Sequence, residues 1–160
     1  MTTLSNGVRV CTEQIAGATA NVGVYIKAGS RQEKMDTSGS AYLSLKMMER
    51  GTTSRSKAEI EEEIENVGGK LDSHTDREHQ RLNMHVFKDD VSKAISLLGD
   101  MVVNSSINDG ELELAKQDVI NELENMHKQH QETSLENAHF NSFRDHYLGQ
   151  PKKGNLDNIP

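Results

Sequence analysis

The chain has a single cysteine, Cys11, so no disulfide can form within it, a usage that suits a reducing compartment. It has no apolar run approaching the ~18–20 residues needed to cross a bilayer, so no direct membrane span is expected. Positive charge is also scarce: 18 lysines and arginines stand against 25 aspartates and glutamates, for a net charge of −7. Without a basic stripe interleaved with aromatics, nucleic acid is excluded as the expected partner. No targeting presequence is expected, because a strand pattern begins almost at Met1; an organellar protein of this sequence would have lost its presequence. No low-complexity tract, short-period repeat or domain-sized linker interrupts the 160 residues, a length suited to one domain with a real core. Apolar content is modest, at 34% hydrophobic residues plus 12 glycines, below the ~45–50% usual for globular chains. Periodicity rather than abundance argues for folding.

The apolar residues that are present fall into two periods. Leu4-Ser5-Asn6-Gly7-Val8-Arg9-Val10 reads as a hairpin, with Asn-Gly supplying the positive φ angles of a tight turn. Val22, Val24 and Ile26 alternate as in a half-buried strand that ends at Gly29 and Ser30, and residues 36–39 read as a polar loop. Residues 41–50 read as a helix, with Ala41, Leu45 and Met48 on one face and Leu43 and Met47 beside it. Ser56 and Glu59 form a capping box, Ile60, Ile64 and Val67 keep helical spacing, and Gly68-Gly69 is the stop. Residues 70–75 and 80–87 read as strands joined by Asp76-Arg77-Glu78. Asp89 or Asp90 caps a helix carrying Val91, Ala94, Ile95, Leu98, Met101 and Val102. Asn108 or Asp109 opens a long helix through Leu112, Ala115, Val119, Leu123 and Met126 to near His130. A final helix over 134–147 leads into Gly149-Gln150-Pro151 and an irregular basic-then-polar tail without a closing element, as in a piece of a longer protein. Strands in pairs and helices in pairs predict an α+β domain, a mostly antiparallel sheet packed by helices.

The stretch Ser40-Ala41-Tyr42-Leu43-Ser44-Leu45-Lys46-Met47, between Ala28-Gly29-Ser30-Arg31 and Glu49-Arg50-Gly51-Thr52, carries the functional reading. It resembles the active-site helix of the pitrilysin-type (M16) metallopeptidases, which bears an inverted zinc motif, H-x-x-E-H. Within that family the chain is similar to the branch of mitochondrial processing peptidase β subunits and core protein 1 of the cytochrome bc1 complex. The similarity rests on Thr2 to Glu13, on Val22 to Arg31, on Glu63-Ile64-Glu65-Asn66-Val67-Gly68-Gly69-Lys70-Leu71, on Thr75-Asp76-Arg77-Glu78-His79, on Phe87-Lys88-Asp89-Asp90-Val91 and on Val119-Ile120-Asn121-Glu122. The resemblance implies an M16 peptidase-like half-domain: residues 1–160 would be the N-terminal domain, most of the first half of a longer subunit.

Matched position by position, the motif's histidines fall on Tyr42 and Lys46, its glutamate on Leu45, and a supporting glutamate on Ala115. Glu122 alone retains a ligand position. Zinc in such a site takes two imidazoles one helical turn apart and a carboxylate from a second helix. A phenol is a poor ligand at neutral pH, an ammonium repels the cation, and leucine cannot activate water. The expectation is therefore no catalytic residue, no bound metal and no cofactor. The implied role is a core protein 1-like scaffold of the bc1 complex on the matrix side of the mitochondrial inner membrane. Its implied partners are the second half of its own subunit, core protein 2 or a processing peptidase α-type subunit, and other bc1 subunits. The alternatives are a β-type processing peptidase subunit that cleaves presequences and a non-catalytic presequence-binding module.

Other chemistry has weaker signals. His127 and His130 with Glu124 on a helix, His79 and His85 on a strand, and His139 and His146 at helical spacing are pairs without a third ligand, and read as solvated faces. No G-x-S-x-G elbow is present. The run Glu59, Glu61, Glu62, Glu63 and Glu65 reads as the wet face of a helix, with a grip on basic presequences as the sharper alternative. Met47, Met48, Met84, Met101 and Met126 read as core gap-fillers.

Overall fold

Three alternating segments supply the main sheet. β3 (Thr19–Ile26), β4 (Lys70–Thr75) and β5 (Gln80–Phe87) pair antiparallel in the order β3-β5-β4, in a computed structural model that describes residues 1–126, 128–144 and 146–155. The register sets Val22 opposite Met84 and Met84 opposite Leu71, so the apolar set of every strand lies on one face. Asp76 closes the β4–β5 turn, its Oδ1 accepting the backbone N–H groups of Glu78 (2.7 Å) and His79 (3.2 Å). β1 (Thr2–Thr3) and β2 (Arg9–Val10) form a separate small ribbon whose turn has Gly7 at φ 87°, and its residues are exposed.

Helices cover the apolar face. α2 (Lys57–Asn66) has the capping box expected of it, Ser56 and Glu59 each serving the other's backbone. α2, α3 (Val91–Val103) and one side of α1 (Ser40–Met48) bury Ile60, Leu98, Met101 and Leu45 against Leu82, Met84 and Val86. α4 (Asp109–Met126) lies on the other side of α1, where Leu43 and Met47 meet Ala115 and Val119 in a second apolar layer. Together these give the α+β arrangement that the periodicities predict.

The ends of elements depart from the sequence-based expectations in instructive ways. Two 3-10 turns, Ser30–Gln32 and Met35–Thr37, lie between β3 and α1, the second running into the loop expected over residues 36–39. They position Glu33, whose carboxylate accepts the N–H of Gly39 (2.9 Å) and of Ala41 (2.6 Å) and so caps α1 from outside the helix. On α3 the buried stripe is Ala94, Leu97, Leu98 and Met101; Ile95 is 57% exposed because it falls beside that stripe. α4 stops at Met126, short of His130, and α5 (His130–Ser142) begins earlier and ends earlier than the expected 134–147. No glycine or proline marks the break, and α5 has no buried residue, so apolar spacing carried little information there. The tail beyond α5 is folded back: Arg77 Nε donates to Leu148 O (2.9 Å) and Gln150 is 7% exposed.

Asp100 on α3 ties the segment after α1 to the helical layer. It accepts hydrogen bonds from Asn104 Nδ2 (2.7 Å), Thr52 Oγ1 (2.8 Å), Arg55 Nη1 (2.6 Å) and Ser54 Oγ (3.1 Å). Asn104 and Thr52 foremost, with Arg55 and Ser54, hold its carboxyl at about 2, below the usual range. A depressed folded-state pKa stabilises above the unfolded value near ~4 and is lost as pH falls toward the folded one. Asp100→Asn should therefore cost about 1–3 kcal/mol at pH 7. In urea unfolding, the gap to wild type should narrow between about pH 4 and pH 2.

Candidate functional site

α1 presents Tyr42 and Lys46 one helical turn apart, on the side that faces α4. Their common partner is Glu122, across the interface. Tyr42 Oη donates to Glu122 Oε2 at 2.5 Å, and Lys46 Nζ lies 2.9 Å from Glu122 Oε1. A third group arrives from the tail: Lys153 Nζ is 3.5 Å from Glu122 Oε2. The Lys46 and Lys153 ammonium groups lie 5.4 and 5.5 Å from the centroid of the Tyr42 ring, within cation–π range. Next to this cluster an open polar cleft of about 370 Å3 is lined by Asp118, Asn121, Glu122, Asn125, Gln129 and Lys153.

The electrostatics follow from these contacts. Burial pushes the Tyr42 hydroxyl far above its usual pKa, and the bond to Glu122 and that carboxylate's charge push it further. Burial alone would raise Glu122, but the bonds from Tyr42 and Lys46 and the charges of Lys46 and Lys153 outweigh it and hold the carboxyl below its usual range. At neutral pH the cluster is a phenol, a carboxylate and two ammonium groups. Charges then alternate away from it: Lys153 and Lys152 both approach Glu132 (3.8 Å each), Lys152 approaches Glu136 (3.4 Å), and Glu136 pairs with Arg77 (2.9 Å).

The other positions matched to the motif lie elsewhere. Leu45 points into the main core at 1% exposure, packed with the sheet face, where no water could be held for activation. Ala115 is fully buried between α1 and α4 beside Leu43 and Met47. The residues present do not fit a zinc ion: the Tyr42 phenol is held in its protonated form, and both oxygens of Glu122 are already engaged by Tyr42, Lys46 and Lys153. Lys153 was visible in the sequence only as part of a basic tail, because nothing in apolar spacing says that the tail returns to α1.

The histidine pairs do not assemble. His79 precedes β5, sits 3.4 Å from Asp76 and contacts the Tyr25 ring, whereas His85 is exposed on the strand. His130 is exposed at the start of α5, and His127 lies outside the described residues. His139 and His146 each approach the Phe143 ring, with centroids 5.9 and 6.3 Å from it, the second beyond the helix. Among the described residues, no group of three or more His, Cys, Asp or Glu side chains could hold a metal ion. Glu59, Glu61, Glu62, Glu63 and Glu65 are all exposed on α2, while Met47, Met84 and Met101 are buried.

A sheet covered by helices, with two side chains one turn apart set against a carboxylate from a second helix, is the layout of a zinc-peptidase-type domain. A family model described as "Insulinase (Peptidase family M16)" matches residues 9–154, and the chain belongs to that family. It is 36% identical over 160 residues to the mitochondrial-processing peptidase subunit beta of Dictyostelium discoideum, covering 99% of this chain and 34% of that protein. It is 33% identical to the same subunit of Bos taurus, over 99% of this chain and 32% of that one. It is 32% identical to cytochrome b-c1 complex subunit 1 of Mus musculus, over 98% of this chain and 32% of that one. The chain thus spans about a third of the length of these curated relatives. A solved peptidase M16 inactive domain from Pseudomonas fluorescens shares the fold, with a TM-score of 0.78 at 16% identity, over 89% of this chain and 35% of that one.

Two substitutions rank the contacts at the site. Tyr42→Phe removes one hydrogen bond and should cost about 1 kcal/mol. Glu122→Ala leaves Lys46 without its carboxylate and Lys153 with only Glu132, and should cost more, about 2–3 kcal/mol. Equilibrium urea unfolding of both variants measures the order; a smaller effect for Glu122→Ala would contradict it.

Proposed function

We propose that residues 1–160 are the N-terminal domain, most of the first half, of a non-catalytic M16-type subunit. Its service is that of a core protein 1-like scaffold in the mitochondrial cytochrome bc1 complex, on the matrix side of the inner membrane. The observation that carries this reading is the cluster at Glu122, where a phenol and two ammonium groups engage the one carboxylate that an M16 metal site would share. Neither a water-activating base at Leu45 nor a second carboxylate at Ala115 is available to rebuild the chemistry. The protein's contribution is then shape. Its partners are the second half of its own subunit, core protein 2 or an α-type processing subunit, and neighbouring bc1 subunits.

A β-type processing peptidase subunit is the second reading, supported by 32–36% identity to subunits of that name, a range that includes the 32% to the core subunit. These identities are too close to decide between the two roles, and the chemistry of the site favours the first. The exposed glutamates of α2 support a third use, a non-catalytic grip on basic presequences, only as far as solvated carboxylates can.

Two measurements test the proposal. Full-length protein purified without chelator should contain no stoichiometric zinc and should co-purify with bc1 subunits; one tightly held zinc per chain would refute the non-catalytic reading. Tyr42→His, Leu45→Glu and Lys46→His together should not yield a working peptidase, because Ala115 and Lys153 remain. Chelator-sensitive cleavage of a presequence peptide by that triple variant would contradict this.

A further inference from the structure

Lys153 is the member of the Glu122 cluster that the M16 motif does not foreshadow, and its position is not left to side-chain chance. The tail that carries it is pinned on both sides. Gly154 (φ 81°) lies so close to α1 that a Cβ there would stand 2.7 Å from Gly39 Cα. Gly39, itself left-handed at φ 94°, is the residue immediately before α1. On the other side, the Lys152 N–H approaches Glu136 Oε2 at 3.4 Å and Gln150 is buried at 7% exposure. Between these anchors the Lys153 side chain, 19% exposed, runs inward to Glu122, over the Tyr42 ring and within 3.8 Å of Glu132.

We infer that Lys153 is an ion-exclusion residue: a tail-borne ammonium, seated at Glu122, that bars divalent cations from this position independently of the lost histidines. The inference rests on the non-catalytic reading and extends it to a residue outside the motif. The chemistry is that of like charges. A divalent cation bound through Glu122 would stand beside an ammonium that already occupies Oε2 and that the folded tail holds in place. Restoring imidazoles at 42 and 46 removes the phenol and one ammonium, but leaves this one.

The test compares metal binding by two variants of the full protein. Tyr42→His/Lys46→His supplies two imidazoles with Glu122, and the second variant adds Lys153→Met, which keeps the stem and removes the charge. Cobalt(II) titration read by visible absorption, with zinc competition, should show binding that is tighter by about tenfold or more when Lys153 is replaced. Equal affinity in the two variants, or no binding by either, overturns the inference. Zinc held by the unmodified protein would instead overturn the non-catalytic reading beneath it. If the histidine variants do not fold, Lys153→Met alone decides: amide hydrogen exchange of residues 148–154 should quicken, and unchanged exchange overturns the proposed seating of Lys153.

Discussion

Helix α1 is buried on two opposite sides, and the remainder of the domain is arranged around that requirement. Leu45 enters the core formed by the sheet, α2 and α3, while Leu43 and Met47 enter a second layer with Ala115 and Val119 of α4. A helix so enclosed has only a narrow strip for polar residues, and Tyr42 and Lys46 occupy it along the α4 interface. Its N-terminal amides are likewise out of reach of bulk water. Glu33 serves them from the preceding turn, and Gln80 of β5 donates to Ala41 O and Ser44 Oγ, which ties the first turn to the sheet. Truncating Leu45 or Met47 would remove packing on one of two sides at once, the situation in which large-to-small changes cost about 2–5 kcal/mol.

The polar strip supplies the charge balance at the interface of α1 and α4. In an M16 metal site, a dication draws a carboxylate of one helix to side chains of another. Here two ammonium groups bring the same formal charge to Glu122 from inside the chain. Isolated exposed ion pairs are worth ~0–1 kcal/mol. This cluster differs in being partly buried, hydrogen-bonded by a phenol and continuous with Glu132, Lys152, Glu136 and Arg77. The chain of charges connects α1 and α4, which also share the second apolar layer, to α5, the tail and the β4–β5 turn. α5 in particular has no buried residue, so its attachment depends on Glu132 and Glu136 more than on hydrophobic area.

What could be read from sequence follows from the same division of labour. β4 and β5 match their expected spans and α2 its capping box, because period-two alternation and the Ser56–Glu59 pair are local signals. The juxtaposition of Tyr42, Lys46 and Glu122 was legible only through the family motif; no local pattern relates residues on separate helices. The misplaced boundary between α4 and α5, and the omission of Lys153, have one cause. Neither leaves an apolar period: α5 has no buried stripe to mark its start, and Lys153 reaches Glu122 through a charge contact distant in sequence. Glu33 is a similar case: a helix cap seven residues before the helix begins is not a short-range capping signal.

The claim that a side-chain cation holds α1 to α4 is tested most directly by a double-mutant cycle on Lys46→Met and Glu122→Gln. Unfolding free energies of the wild type, the two single variants and the double variant would be measured in urea at low and at 0.5 M salt, with tail and Tyr42 unchanged. Contact at 2.9 Å within a partly buried network predicts a favourable coupling of about 1 kcal/mol or more, reduced but not abolished by salt. Additive single effects, with coupling near zero at both salt concentrations, would contradict the account.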